Sequence, residues 1–153
     1  MITLHNDTIT LFNRKVGGDG DTWYPTVLRG VHVIMENAEE AAKYGSDAKD
    51  AVNVNIPYLK NDNGNITCGE KKWLPPKEWA ALEDPSKAIT FASGTHFDFF
   101  WVGDWGSEEI VQDSDYPDGG FYSYMEKTRD FVYAFHWIKG PFNVIPHFET
   151  VGK

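Results

Sequence analysis

Cysteine, basic charge and long apolar runs are all scarce in this sequence. The single cysteine, Cys68, excludes an intrachain disulfide framework and a Cys-based zinc cluster, and reads as a small strand residue. Fourteen Lys and Arg stand against 23 Asp and Glu, for a formal charge of −9 and a pI near 4.9. Proteins that wrap nucleic acid through its phosphates need clustered Lys and Arg, so that class is disfavoured. No stretch approaches the roughly 18 apolar residues of a membrane span, and Met1 to Asp7 has neither a basic n-region nor an apolar h-region. The expectation is a protein made and kept in soluble form. Leu and Ala are sparse, which speaks against a helix bundle.

Large rings and turn formers are plentiful instead. Six Trp, seven Tyr and ten Phe supply much apolar area per residue, and 14 Gly and eight Pro supply turns. With 153 residues and no internal repeat or linker-like tract, residues 1–153 read as one β-rich domain. The expected fold is mainly β, a small β-barrel or sandwich with two or three short helices near 37–44, 76–82 and 119–129.

Several elements follow from local pattern. Ile2 to Asn13 reads as a strand buried through Ile9 and Leu11, followed by the glycine-rich turn Gly17–Asp21. A second strand runs from about Trp23 to Met35, with Val27, Val31 and Val33 on one face and a bulge at Gly30. Val52, Val54 and Ile56 alternate with Asn53 and Asn55, the clearest period-2 signal in the chain, and Asn63-Gly64 predicts a hairpin into Ile66–Cys68. Ile89–Phe91 and Phe97–Val102 read as short strands. Phe131–Ile138 and Phe142–Val151 read as two more, joined at Lys139-Gly140-Pro141. Phe121, Tyr124, Met125 and Thr128 share one face of the last helix.

Chemistry-bearing patterns are weak. Asp113, Asp115 and Asp118 fail the spacing of a calcium loop, because the third aspartate and the glycine each arrive one residue late and position 12 is Tyr124. They read as an acidic loop capping the helix that follows. Asp104, Glu108 and Glu109 are the remaining candidate for paired carboxylates, the basis of a small-hydrolase alternative. His5, His32, His96, His136 and His147 show no metal-ligand spacing, and no nucleophile elbow, phosphate-binding loop or dinucleotide fingerprint is present. Trp101, Trp105 and Trp137 on a β scaffold are the basis of a second alternative, a carbohydrate-binding module that stacks sugars on indoles. No catalytic residue, metal or cofactor is expected.

Three segments carry a resemblance: Ile9-Thr10-Leu11-Phe12-Asn13, Pro76-Lys77-Glu78-Trp79, and the ending Ile145-Pro146-His147-Phe148-Glu149-Thr150-Val151-Gly152-Lys153. With Thr128-Arg129-Asp130 before a strand, they resemble an uncharacterised family of small tailed-phage and prophage proteins encoded between capsid and tail genes. Residues 36–50 are not part of that pattern. The resemblance implies a structural virion protein at the head-tail junction, a head-closure (stopper) or tail-completion subunit made in the host bacterial cytoplasm. It would assemble with copies of itself into a ring, contact neighbouring portal-adaptor and tail proteins, and let DNA pass without specific binding. An acidic channel surface fits such passage, since it repels DNA. The contacts are expected in the polar excursions 14–22, 36–50 and 104–118, with Asp19, Asp21, Glu39, Glu40, Tyr44, Asp47, Trp105, Glu108, Glu109 and Asp113 as candidate interface residues.

Overall fold

In the computed structural model, which describes residues 6–35 and 51–153, the chain is mainly β. Its strands are β1 (Asp7–Lys15), β2 (Thr22–Met35), β3 (Val52–Pro57), β4 (Leu59–Lys60), β5 (Ile66–Cys68), β6 (Lys71–Trp73), β7 (Ala88–Ile89), β8 (Phe99–Val102), β9 (Val111–Gln112), β10 (Val132–Phe142) and β11 (His147–Gly152). Two helices, α1 (Pro76–Ala80) and α2 (Phe121–Thr128), lie between strands, with single 3-10 turns at Pro85–Lys87 and Asp113–Asp115. Six strands close into an antiparallel barrel in the order β1-β8-β10-β11-β3-β2, with β2 returning to β1. Strand β9 adds to the start of β2, and β4-β5-β6-β7 form a small second sheet.

Closure depends on two long strands that each serve two partners. Strand β2 pairs with β1 as far as Val31 and with β3 from His32 to Met35. The ladder shifts register between Asp7 and Thr8, opposite Gly30, whose φ of +71° a side chain would resist. This is the expected bulge, and it changes which residues face inward. Leu28 and Val31 enter the core and Val33 packs at its margin, whereas Val27, expected beside Val31 and Val33, is only half-buried and outside the core.

Strand β10 behaves alike, pairing with β8 over Val132–Ala134 and with β11 from Phe135 to Phe142. The turn expected at Lys139-Gly140-Pro141 is absent. Gly140, at φ +115°, and Pro141 form an irregularity inside β10, and the chain reverses at residues 143–146. The expected strand from Phe142 to Val151 therefore begins at His147.

Several local expectations hold. Val52, Val54 and Ile56 are buried and Asn53 and Asn55 half-buried. The Asn-Gly turn joins β4 to β5, with the Asn61 carboxamide oxygen accepting from Asn63 N (3.0 Å) and Asn65 N (2.9 Å). In α1, Trp79 is buried and donates to Ala88 O (3.1 Å). In α2, Phe121 and Met125 point inward while Tyr124 and Thr128 are exposed, so its apolar face is narrower than the spacing implied. The helix expected near 37–44 lies outside the described residues.

The core has two clusters, one on each side of β1. Ile9 and Leu11 face the barrel interior with Phe100, Phe135 and Phe148. Phe12 faces outward against Trp23, Phe99, Phe121 and Met125, where α2 covers the barrel wall. Every residue from Ile9 to Asn13 is consequently inaccessible. Thr10 meets its hydrogen-bonding needs there, donating to Gly103 O (2.9 Å) and accepting from Trp105 N (3.0 Å).

Beyond these apolar layers the interior is polar, at Asn13 and Asp98. The Asp98 carboxylate accepts from Arg14 N (2.8 Å), Asn13 Nδ2 (2.9 Å) and Ala92 N (2.9 Å), tying β1 to the segment before β8. Burial pushes this carboxyl up to about 7, against the pull of the three donors and of the Arg14 charge. The folded chain thus keeps a proton on Asp98 that the unfolded chain has lost, between its ordinary value of 3.8 and about 7. The stability it contributes is present at low pH and lost as pH rises through about 7. Urea unfolding across that window should show the wild-type midpoint falling more steeply with pH than that of Asp98→Asn. Equal slopes in the two proteins would contradict this titration.

Candidate functional site

Among the described residues, the largest apolar exposure falls on the reversal between β10 and β11. Val144 is 98% exposed and Ile145 74%, with Leu59, at the start of β4, 74% exposed as well. Phe142 and Trp137 on β10 are also uncovered. Scattered exposed apolar residues are ordinary, but consecutive aliphatics at the apex of a turn are a costly place for them unless something binds there.

The turn is held by specific contacts. Buried Tyr58 donates its hydroxyl to Phe142 O (2.7 Å), with the Asn143 carboxamide 3.0 Å from the same oxygen, and its backbone N donates to Pro146 O (3.2 Å). The Tyr58 ring packs on Phe148 in the barrel core, at 5.4 Å between centroids. His147 stacks on Phe142 (5.0 Å), and its Nδ1 donates to Ile145 O while Nε2 meets Glu149 Oε1 at 3.1 Å. The Ile145 carbonyl, then Glu149, raise the His147 pKa, because two acceptors favour a ring with both nitrogens protonated. The tip is thus pre-shaped: its backbone is pinned to the barrel and its side chains are left outside.

The acidic candidates are placed differently. Asp104 pairs with Arg29 (2.6 Å) and also accepts from Gly106 N (2.8 Å), which holds its carboxyl below the usual range. Glu108 pairs with Lys71 (3.5 Å), itself buried and bonded to Thr26 Oγ1 (2.8 Å). Glu109 is exposed. Asp104 and Glu108 are therefore each matched to a cation of their own chain, Arg29 on β2 and Lys71 on β6. Asp21 sits 3.6 Å from Arg14 Nε, and Asp19 is exposed at the tip of the β1–β2 turn. Glu39, Glu40, Tyr44 and Asp47 lie outside the described residues.

Asp113 has a structural task. Its Oδ1 accepts from Trp23 Nε1 (2.7 Å) and from Phe121 N (2.9 Å), so it caps α2 while fixing the helix to β2. Capping by the acidic loop was expected; the second bond to Trp23 was not. Among the described residues no group of three or more His, Cys, Asp or Glu side chains could hold a metal ion. Cys68 is buried, which pushes its thiol up to about 12.

The tryptophans do not make one platform. Trp101 and Trp105 are half-buried and meet edge to face at 6.2 Å, and the Arg129 guanidinium lies over both rings at 4.8 and 4.9 Å. Trp105 packs on Phe12 and Phe121 in the outer cluster. Trp137 stands apart on β10, with Lys139 over its ring at 4.8 Å. The exposed pair at 144 and 145 was missed because two aliphatic residues in a β-rich stretch read as strand; only Asn143 and Pro146 beside them hinted at a turn.

A family of unknown function, DUF6751, matches residues 2–153. The chain belongs to that family. No curated protein matches it, and no solved structure does.

Replacing Tyr58 by Phe removes the hydroxyl that pins the tip and leaves the ring in place. The expected outcome is a loss of about 1 kcal/mol in urea unfolding, with faster amide exchange confined to residues around 142–147. Unchanged exchange in that segment would show that the hydroxyl does not hold the turn.

Proposed function

We propose that this chain is a structural subunit of a tailed-phage or prophage virion, working at the head-tail junction by contact in a ring and not by catalysis. The observation that carries a contact role is the tip at Val144 and Ile145, an apolar pair held out from the fold by Tyr58 and His147. The virion setting comes from the resemblance at Ile9–Asn13, Pro76–Trp79 and Ile145–Lys153, and the charge of −9 suits a subunit past which DNA must slide.

The closed barrel bears on how such contacts are made. Its six strands all have two neighbours, so the barrel has no free edge on which a neighbour could add a strand. Association through the barrel must then use side chains, as the tip does, while the short edge strands β4, β7 and β9 lie outside it. An apolar anchor with a polar surround is the usual composition of a binding hot spot.

Val144→Asp combined with Ile145→Asp, introduced into the phage or prophage that encodes the chain, tests this reading. Both positions are exposed, so the purified variant should keep the wild-type circular dichroism and unfold within about 0.5 kcal/mol of it. Heads and tails should accumulate unjoined. Normal yields of complete particles from the double variant would overturn the proposal.

A further inference from the structure

A cavity of about 460 Å3 lies where the end of β1 meets α1 and the segment before β8. Its size is that of a small-molecule site, and so is its make-up, apolar at Val16, Pro76 and Trp79 with a few polar groups among them. The site is held together from below and above. Buried Asp98 joins the two sides by accepting from Arg14 N and Asn13 Nδ2 on β1 and from Ala92 N opposite. Lys15 Nζ donates to Ala80 O and to Leu82 O (3.0 Å), which closes β1 against α1.

Two of the lining residues carry buried polar atoms with no hydrogen-bond partner, Arg14 Nε and Thr90 Oγ1. Buried polar groups are almost always bonded, so two orphans on one cavity mark groups whose partner comes from outside the chain. Asp21 Oδ2, at 3.6 Å from Arg14 Nε, is too far for a hydrogen bond. The guanidinium is nonetheless fixed in place, 4.5 Å from the Trp23 ring centroid and 4.6 Å from that of Phe97. Arg14 Nε is a donor only and the Thr90 hydroxyl can donate, so an acceptor suits both, and an anionic one best. Asn13 Oδ1, also unpartnered, is itself an acceptor and adds nothing to that attraction.

Charge points the same way. The chain carries −9, yet three cationic side chains, Arg14, Lys15 and Lys77, line this cavity against one carboxyl, Asp98. Burial pushes that carboxyl up to about 7, so on the acid side of that value it is largely neutral and repels an anion little. We propose that this cavity binds a small organic carboxylate, its charged group taken by Arg14, Thr90 and Lys77 and its apolar body laid against Val16 and Pro76. The apolar walls favour such a ligand over an inorganic anion, which has no apolar surface to bury there. The binding site is independent of the virion role.

Benzoate, benzamide and benzamidine share one ring and differ in charge, and they serve as probes in amide NMR titrations of the purified full-length chain on the acid side of neutrality. Benzoate should shift amides around residues 14–16, 76–80 and 90–98, saturating with a Kd of about 1 mM or tighter. The neutral and cationic probes should bind about tenfold more weakly or worse, because hydrogen bonds to a charged acceptor are the stronger ones. Thr90→Val keeps the shape of the side chain and removes the orphan hydroxyl. It should weaken benzoate about threefold or more with no fall in the urea midpoint. Lys77→Glu, at an exposed position of α1, should weaken benzoate similarly, while Lys60→Glu, the same charge change on exposed β4, should leave its affinity unchanged. Scattered or absent amide shifts with benzoate, equal binding of the three probes, equal effects of the two lysine variants, or an unaltered affinity in Thr90→Val would each overturn the proposal.

Discussion

Strand β1 is buried on both faces, and the remaining architecture is arranged around that constraint. Ile9 and Leu11 fill the barrel from one side while Phe12, one residue away on the pleat, requires a second apolar layer outside the wall. Helix α2 supplies it with Phe121 and Met125, and Asp113 fixes the helix by bonding both Trp23 and the Phe121 amide. Fully burying side chains of this size stabilises by about 1.5–3 kcal/mol each, so the outer cluster is a substantial share of the fold and not a decoration.

Much of the barrel was legible in local pattern. Val52, Val54 and Ile56 alternate cleanly with Asn, the Asn63-Gly64 turn sits where its chemistry requires, and Gly30 marks the bulge where β2 changes partner. What escaped was non-local. Thr10 reads as the wet face of a strand, yet it is fully buried because Gly103 and Trp105, more than ninety residues away, meet its hydroxyl. Asp113 reads as part of a hydrated acidic loop until Trp23 is brought to it across the fold.

The tip escaped for a different reason. Gly140-Pro141 carries the chemistry of a reversal, but the barrel absorbs it as an irregularity within β10, and the reversal moves to residues 143–146. Tyr58, itself far away in sequence, determines that placement through Phe142 O and Asn143. Strand pairing thus hides the most exposed apolar pair among the described residues inside a segment that resembles ordinary strand. The acidic excursions, which drew attention through charge, contain Asp104 and Glu108, both paired with cations of their own chain.

The closed barrel offers no free edge, so the proposed contact role rests on what its turns present, and here that is a rigid apolar tip at Val144 and Ile145. The proposed virion role would give that tip a purpose. Quantitative mass spectrometry of purified particles tests that role most directly. The chain should be found in complete virions at a fixed copy number, in a constant ratio to the portal subunits. Its absence from purified particles, or a copy number that varies between preparations, would contradict a structural place in the head-tail junction.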